Sequence, residues 1–328
     1  MKLKWDFVSL RNFTLQVSQT KNLKTASIDY RDNNWGNVKL EKRIKALQQL
    51  CNNKKILRFT ELKKSNINKI FKVDLADSSL ILKISPKWYN KSLLREKWCY
   101  GKLGFKIKIP KVFFYLPASN PVFPTHEVLA LEYIRGKQLK QADFSLRQIN
   151  EKVSEIFMAV HSINSEGYGF LNRNFVGIHK SWIDFLLDIE NIEVPLSKKY
   201  IKKEDVEWLK ESLASIKIND SHSLLYGDFR PENFILCKNE IVALDFQNCI
   251  SGMSLYDIGI GLFNIQRIYE YADLYWDRRL KSIEKTAMML YATRHATTVM
   301  SHSLMTGDIA MANFARTRFY RLKSSILA

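Results

Sequence analysis

Leu224-Leu-Tyr-Gly-Asp-Phe-Arg-Pro-Glu-Asn-Phe-Ile-Leu236, followed by Ile241-Val-Ala-Leu-Asp-Phe-Gln247, is the stretch from which the fold can be read. Asp228 sits on a tight loop behind a glycine, Asn233 follows five residues later, and Asp245 ends the next apolar run. Any one of these residues alone reads as an Asx turn. Two carboxylates and an amide oxygen on adjacent loops, with apolar strands on both sides, instead make a set of hard oxygen ligands. Such a set suits Mg²⁺ and leaves coordination positions for the phosphates of a triphosphate.

Upstream, ILRFTEL, KIFKVDL and LILKIS are short β-rich runs separated by KKSNIN and ADSS, the pattern of an antiparallel meander with polar turns. Ser85-Pro86 is expected to start a helix carrying apolar residues at 93, 94, 98 and 103, and KIKIPKVFFYL and EVLALEYI are two further extended runs. Before the meander, apolar positions 40, 44, 47 and 50 form one helical stripe. After Gly136 the period becomes helical. Ile149, Val153, Ile156, Phe157 and Val160 share one face, and similar patterns recur around 181–190, 203–216, 257–300 and 308–325. A single hairpin, SLLYG with FILC followed by IVALDF, is expected to interrupt these helices. The expected organisation is therefore an N-terminal extension over 1–54, a small sheet domain over 55–134 and a larger, mainly helical domain over 135–328.

The segment YGDFRPEN…LDF resembles the catalytic core of the aminoglycoside phosphotransferase and choline kinase family, small-molecule relatives of the protein kinases. Ser254-Leu-Tyr-Asp-Ile-Gly259 resembles that family's segment in which an aspartate at a helix start braces the catalytic loop, and EVLALEYIRG resembles its hinge. VHSINSEGYGF…SWIDFL is similar to the helix ending in His, the Gly-containing loop and the Trp that precede the loop in many members. The resemblance implies an α+β, two-lobed protein-kinase-like fold: a small antiparallel-sheet lobe with one helix, and a larger helical lobe. It implies an enzyme that moves the γ-phosphate of ATP, with Mg²⁺, to a hydroxyl of a small molecule such as a sugar, amino alcohol or aminoglycoside.

The same resemblance assigns roles. Asp228 becomes the catalytic base, and Asn233 and Asp245 the metal ligands. Lys83, in LILKIS, becomes the lysine on the α- and β-phosphates, with Glu96 as its ion-pair partner. The backbone of Glu132, Tyr133 and Ile134 meets adenine, and Ser65 and Asn66 in the loop after the first strand cover the phosphates. Asp257 and Tyr226 support the catalytic loop, Tyr226 standing where the family usually has His and able to bond backbone through its phenol. His161, closing an amphipathic helix, reads as a structural hydrogen-bonding residue.

Composition narrows the alternatives. Residues 1–110 hold 25 basic and 8 acidic side chains, leaving 26 and 25 for the rest, so nearly all of the +18 net charge lies in the first third. A solvated lysine-rich surface explains this, and a polyanion-binding surface is a further reading. Another is a catalytically weak kinase-fold scaffold, prompted by Tyr226 and by the absence of glycine from KKSNIN. No apolar run reaches the roughly 18 residues that cross a bilayer. Asp6 and Arg11 interrupt the first residues where a signal peptide needs an apolar stretch, so a soluble, cytoplasmic protein is expected. Four dispersed cysteines without a CxxC pair read as buried free thiols. Tyr269–Asp277 mixes aromatic and acidic residues, the pattern of a core helix or of an amine-binding surface.

Overall fold

Alternating apolar side chains build the first unit of the chain. The computed structural model describes residues 14–16, 47–51, 54–64, 68–86, 92–118, 120, 123, 125–217, 222–265, 268–276 and 278–328. These fall into two units, Met1–Lys97 with Pro110–Ile134, and Trp98–Ile109 with Arg135–Ala328.

The first unit holds an antiparallel sheet of six strands: β1 (Thr14–Gln16), β2 (Ile56–Lys64), β3 (Lys69–Leu75), β4 (Ser79–Pro86), β5 (Val112–Leu116) and β6 (His126–Glu132), in the order β1-β2-β3-β4-β6-β5. Phe71, Val73 and Leu75 on β3, and Leu80, Leu82 and Ile84 on β4, point to one face and bury there with Val128 and Ala130 of β6. Leu47, in the helical turn 47–50 at the end of the expected stripe, packs into the same cluster; residues 38–46 lie outside the described residues. The odd positions of β4 face the other way, where Lys83 pairs in register with Leu129.

Pro86 does not start a helix. It ends β4 opposite His126, and helix α1 is described over Ser92–Leu103, residues 87–91 lying outside the described residues. Proline is tolerated at such a position because a strand end needs no ladder donor.

The second unit carries two small sheets among eight helices of the described residues. Its helices are α2 (Arg147–His161), α3 (Trp182–Leu187), α4 (Glu193–Ser197), α5 (Lys203–Ser215), α6 (Leu255–Asn264), α7 (Ile268–Trp276), α8 (Ser282–Thr306) and α9 (Ile309–Leu327). All five apolar residues expected on one face of α2 are buried. The expected hairpin is not formed: His222–Leu225 pairs with Ile250–Met253, while Phe234–Cys237 turns back on Glu240–Ala243. The run 222–225 is thereby separated from its sequence neighbour, and the catalytic-loop segment leaves its end unpaired to either strand of the 234–243 hairpin. Strands Tyr168–Leu171 and Gly177–His179 complete the first of these sheets. All four cysteines are free thiols, but only Cys99 and Cys249 are buried, with their sulfurs 3.0 Å apart; Cys51 and Cys237 are half-buried. Among the described residues no helix is long and apolar enough to cross a membrane.

Candidate active site

The catalytic-loop segment is held from below by one carboxylate. Asp257, in the first turn of α6 and fully buried, accepts the Tyr226 N–H at 2.6 Å on Oδ2 and the Gly227 N–H at 2.8 Å on Oδ1. His161 Nε2 lies 2.9 Å from the same Oδ2, and its Nδ1 lies 2.6 Å from the Tyr275 hydroxyl. The carboxylate can only accept, so the network assigns the proton to Nε2 and the phenol donates to Nδ1. Tyr226 is buried edge-on against Phe157 and Phe246, and its hydroxyl donates to the Leu244 carbonyl, one residue before Asp245. The phenol thus ties the two halves of the motif together.

Gly227 is the one position in this loop that admits no side chain. Its φ is +76°, and a Cβ there would lie 2.0 Å from the Asn248 carbonyl oxygen. That close approach sets Asp228 beside the segment that follows Asp245. The Asn233 amide donates to the Asp228 carbonyl at 3.0 Å, which turns its Oδ1 away from that contact and leaves an oxygen for a cation. Asp245 itself has a left-handed backbone, φ 60° and ψ 64°, and its N–H donates to the Tyr100 hydroxyl at 3.1 Å. A non-glycine residue in that region is strained, and such strain clusters at functional positions.

Arg230 is a residue that the sequence reading did not single out. Its Nη2 donates to Asp228 Oδ2 at 2.7 Å, and its Nε lies 2.7 Å from Oδ1 as an ion-pair contact without hydrogen-bond geometry. The adjacent charge of Asp228 raises the guanidinium pKa against the opposing effect of burial, with Asp245 and Glu232 adding to the rise. A basic residue two positions after the loop aspartate, with acids on both sides in sequence, was the available signal.

In the first unit, Lys83 Nζ donates to Glu96 Oε2 at 2.6 Å, with both side chains buried. A buried lysine needs such a partner to remain charged. Glu132 ends β6 with its N–H donating to the Lys111 carbonyl, Tyr133 lies under the Lys72 ammonium at 4.7 Å, and Ile134 follows. Ser65 and Asn66 lie outside the described residues. No cluster of three or more His, Cys, Asp or Glu occurs among the described residues, so a cation here would draw on Asn233, Asp245 and ligands from the substrate. That donor set, one carboxylate and one amide oxygen, is hard and incomplete, as Mg²⁺ sites that retain phosphate oxygens and water are.

A six-stranded antiparallel sheet in one unit, and a helical unit that carries Asp228, Asn233 and Asp245 on two neighbouring loops, define a protein-kinase-like α+β fold. Residues 58–284 match the family model of the phosphotransferase enzyme family, and the chain belongs to that family as a small-molecule kinase. No curated protein matches it in sequence. Among solved structures, aminoglycoside phosphotransferase APH(4)-Ia is similar at 16% identity and a TM-score of 0.67, covering 86% of this chain and 98% of that one. A putative fructosamine-3-kinase from Haemophilus somnus 129PT is similar at 17% identity and a TM-score of 0.63, covering 84% and 96%. A choline/ethanolamine kinase family protein from Mesorhizobium loti is similar at 18% and 0.58, covering 81% and 87%.

Within Tyr269–Asp277 the described side chains serve packing and capping. Tyr271 is buried against Phe157 and Phe229, Tyr275 bonds His161, and Asp273 accepts the Leu280 N–H.

Proposed function

We propose that the protein transfers the γ-phosphoryl group of ATP, with Mg²⁺, to a hydroxyl of a small molecule in the cytoplasm, and that Asp228 is the catalytic base. The observation that carries this reading is the Asp228 carboxylate, gripped by Arg230, on the loop whose Asn233 amide is bonded to the Asp228 carbonyl. Two structures similar in fold support the choice of nucleotide. One is of APH(4)-Ia in a ternary complex with AMP-PNP and hygromycin B, the other of the amicoumacin kinase hAmiN with AMP-PNP, Ca²⁺ and Ami.

Asp228 receives the acceptor's hydroxyl proton as the oxygen forms its bond to phosphorus and the bond from the γ-phosphorus to the ADP oxygen breaks. Arg230 holds the carboxylate aimed. Asn233 and Asp245 hold the metal, which when bound offsets charge on the phosphates. Lys83, oriented by Glu96, takes the α- and β-phosphates, and the backbone of Tyr133 and Ile134 takes adenine. Glu132 contributes through its carbonyl, since its N–H is bonded to Lys111. Ser65 and Asn66 remain the candidates for covering the phosphates.

Thermal denaturation with and without Mg²⁺-ATP tests this. A nucleotide at about 100 times its dissociation constant adds roughly 2.7 kcal/mol of stability. The shift should require the metal and disappear in Asp245→Ala. A wild-type protein that no nucleotide stabilises would refute the proposal.

A further inference from the structure

Three helices meet beside the catalytic loop. Asn264, at the end of α6, donates to the carbonyl of Phe229, the residue after Asp228, at 2.9 Å. Beside it the Phe263 ring lies 5.1 Å from the His295 ring of α8 and 5.5 Å from the Phe314 ring of α9. Arg318, one turn along α9, sets its guanidinium 5.4 Å above Phe314. Phe263 is buried and forms the floor, whereas Phe314 is 43% exposed and His295 and Arg318 are partly exposed.

The uncompensated cation of this wall lies at its far end. At the Asp228 end, that carboxylate is covered by Arg230, whose guanidinium also feels the charges of Asp245 and Glu232. His295 has no hydrogen-bond partner among the described residues. Burial, reinforced by Arg230 and Arg294, pushes its pKa down to about 3, so it stays neutral and offers one donor and one acceptor. At the far end, no carboxylate among the described residues lies within ion-pair distance of Arg318. Burial and the neighbouring charge of Arg321 lower its pKa, as expected of a cation that lacks a counter-charge. Two nearby arginines are engaged elsewhere: Arg278 pairs with Glu284, and Arg316 stacks on Tyr200 and Tyr320.

We propose that this wall, Arg230, His295, Phe314 and Arg318, selects an acceptor that carries an anionic group. Its hydroxyl sits at Asp228, an apolar or sugar face lies on Phe314, and its carboxylate or phosphate reaches Arg318. The inference rests on the kinase reading above and adds the substrate class. A cationic amino sugar would set its ammonium against the Arg318 guanidinium, so repulsion at that end selects against it.

Ligand-observed NMR with D-glucuronate, D-glucose and D-glucosamine, in the presence of Mg²⁺-ADP, separates charge from shape. The three pyranoses share a scaffold and differ in charge. Glucuronate should bind tightest, about tenfold tighter than glucosamine, as one charge-assisted contact provides. In Arg318→Gln its affinity should fall to that of glucose, while Phe314→Ala should weaken all three. Any other order for the wild type, absence of binding by all three, or a glucuronate preference that survives Arg318→Gln overturns the inference. Stabilisation of the wild type by Mg²⁺-ATP is read separately, so a failure there falls on the kinase reading and not on the acceptor class.

Discussion

Replacing Asp257 by Asn removes one charge and almost no volume, and the cost can be worked bond by bond. The carboxylate accepts from the Tyr226 N–H, the Gly227 N–H and His161 Nε2, all buried. An amide keeps one oxygen and puts an NH₂ in place of the other. If the NH₂ takes the Oδ2 position, His161 can adapt by moving its proton to Nδ1, because the Tyr275 hydroxyl can accept as well as donate. The Tyr226 N–H cannot adapt, and in the flipped amide the Gly227 N–H is stranded instead. Either way one buried backbone donor is left unmade, at about 1–3 kcal/mol, and the surviving bonds lose their charge assistance, for a total of roughly 2–4 kcal/mol. Asp257→Ala strands all three donors and should cost more. Urea denaturation followed by tryptophan fluorescence measures the difference, and the thermal midpoint should fall by roughly 3–6 °C. Hydrogen exchange localises it, since the Tyr226 and Gly227 amides should lose protection first. An Asn variant within about 0.5 kcal/mol of wild type, with both amides still protected, would show that the bracing is not what holds the loop.

Three further outcomes are expected. Gly227→Ala should cost more than about 2 kcal/mol, because a left-handed backbone and the Asn248 carbonyl both oppose a Cβ. Gly307→Ala, with a similar φ of +79° but nothing within 4 Å, should cost only about 1 kcal/mol in the same denaturation experiment. Asp228→Asn should lower kcat for acceptor-dependent ADP release by about 10²–10⁴ while the KM for ATP changes little, as steady-state kinetics will read. Glu284 has its pKa lowered to about 2, chiefly by the hydrogen bond from Arg278 and further by the Lys281 N–H, against burial. Because the folded value is depressed, its contribution is present above the unfolded value of 4.5 and is lost as pH falls from there towards 2. The stability gap between wild type and Glu284→Gln should therefore be full above about pH 5 and close on acidification, which urea midpoints at a series of pH values will follow.

What the sequence made legible was whatever repeats at a fixed period or lies within one loop. The buried face of α2 follows from the spacing of Ile149, Val153, Ile156, Phe157 and Val160, and Asp228, Asn233 and Asp245 stand within eighteen positions of one another. The structural role expected for His161 and the backbone bond expected of the Tyr226 phenol are both present. Strand pairing was less accessible. SLL, FIL and IVA are equally short and apolar, and proximity favoured the wrong partner for 222–225 over Ile250–Met253, which lies beyond another hairpin. Pro86 misled because proline suits a strand end as well as a helix start. Tyr168–Leu171 and Gly177–His179 were too short and too glycine-rich to register as strands. Arg230 went unremarked because a grip on the residue two positions earlier depends on the loop's dihedrals, and the Phe263, His295, Phe314 and Arg318 wall gathers from three helices whose spacing no local pattern reports.

The aromatic cluster beneath the catalytic loop bears on the order in which the molecule assembles. Phe157, Tyr226, Phe229, Phe234 and Tyr271 touch one another, yet they come from a helix, a loop, a strand and a second helix spread over more than a hundred residues. Closing so long a stretch of chain costs entropy before any of these contacts can offset it. Helix α2, with its local bonds, can form early and wait. The packing beneath the loop that carries Asp228 is complete only once Tyr271 of α7 has joined it, so the support of the site depends on contacts between parts of the chain that lie far apart in sequence.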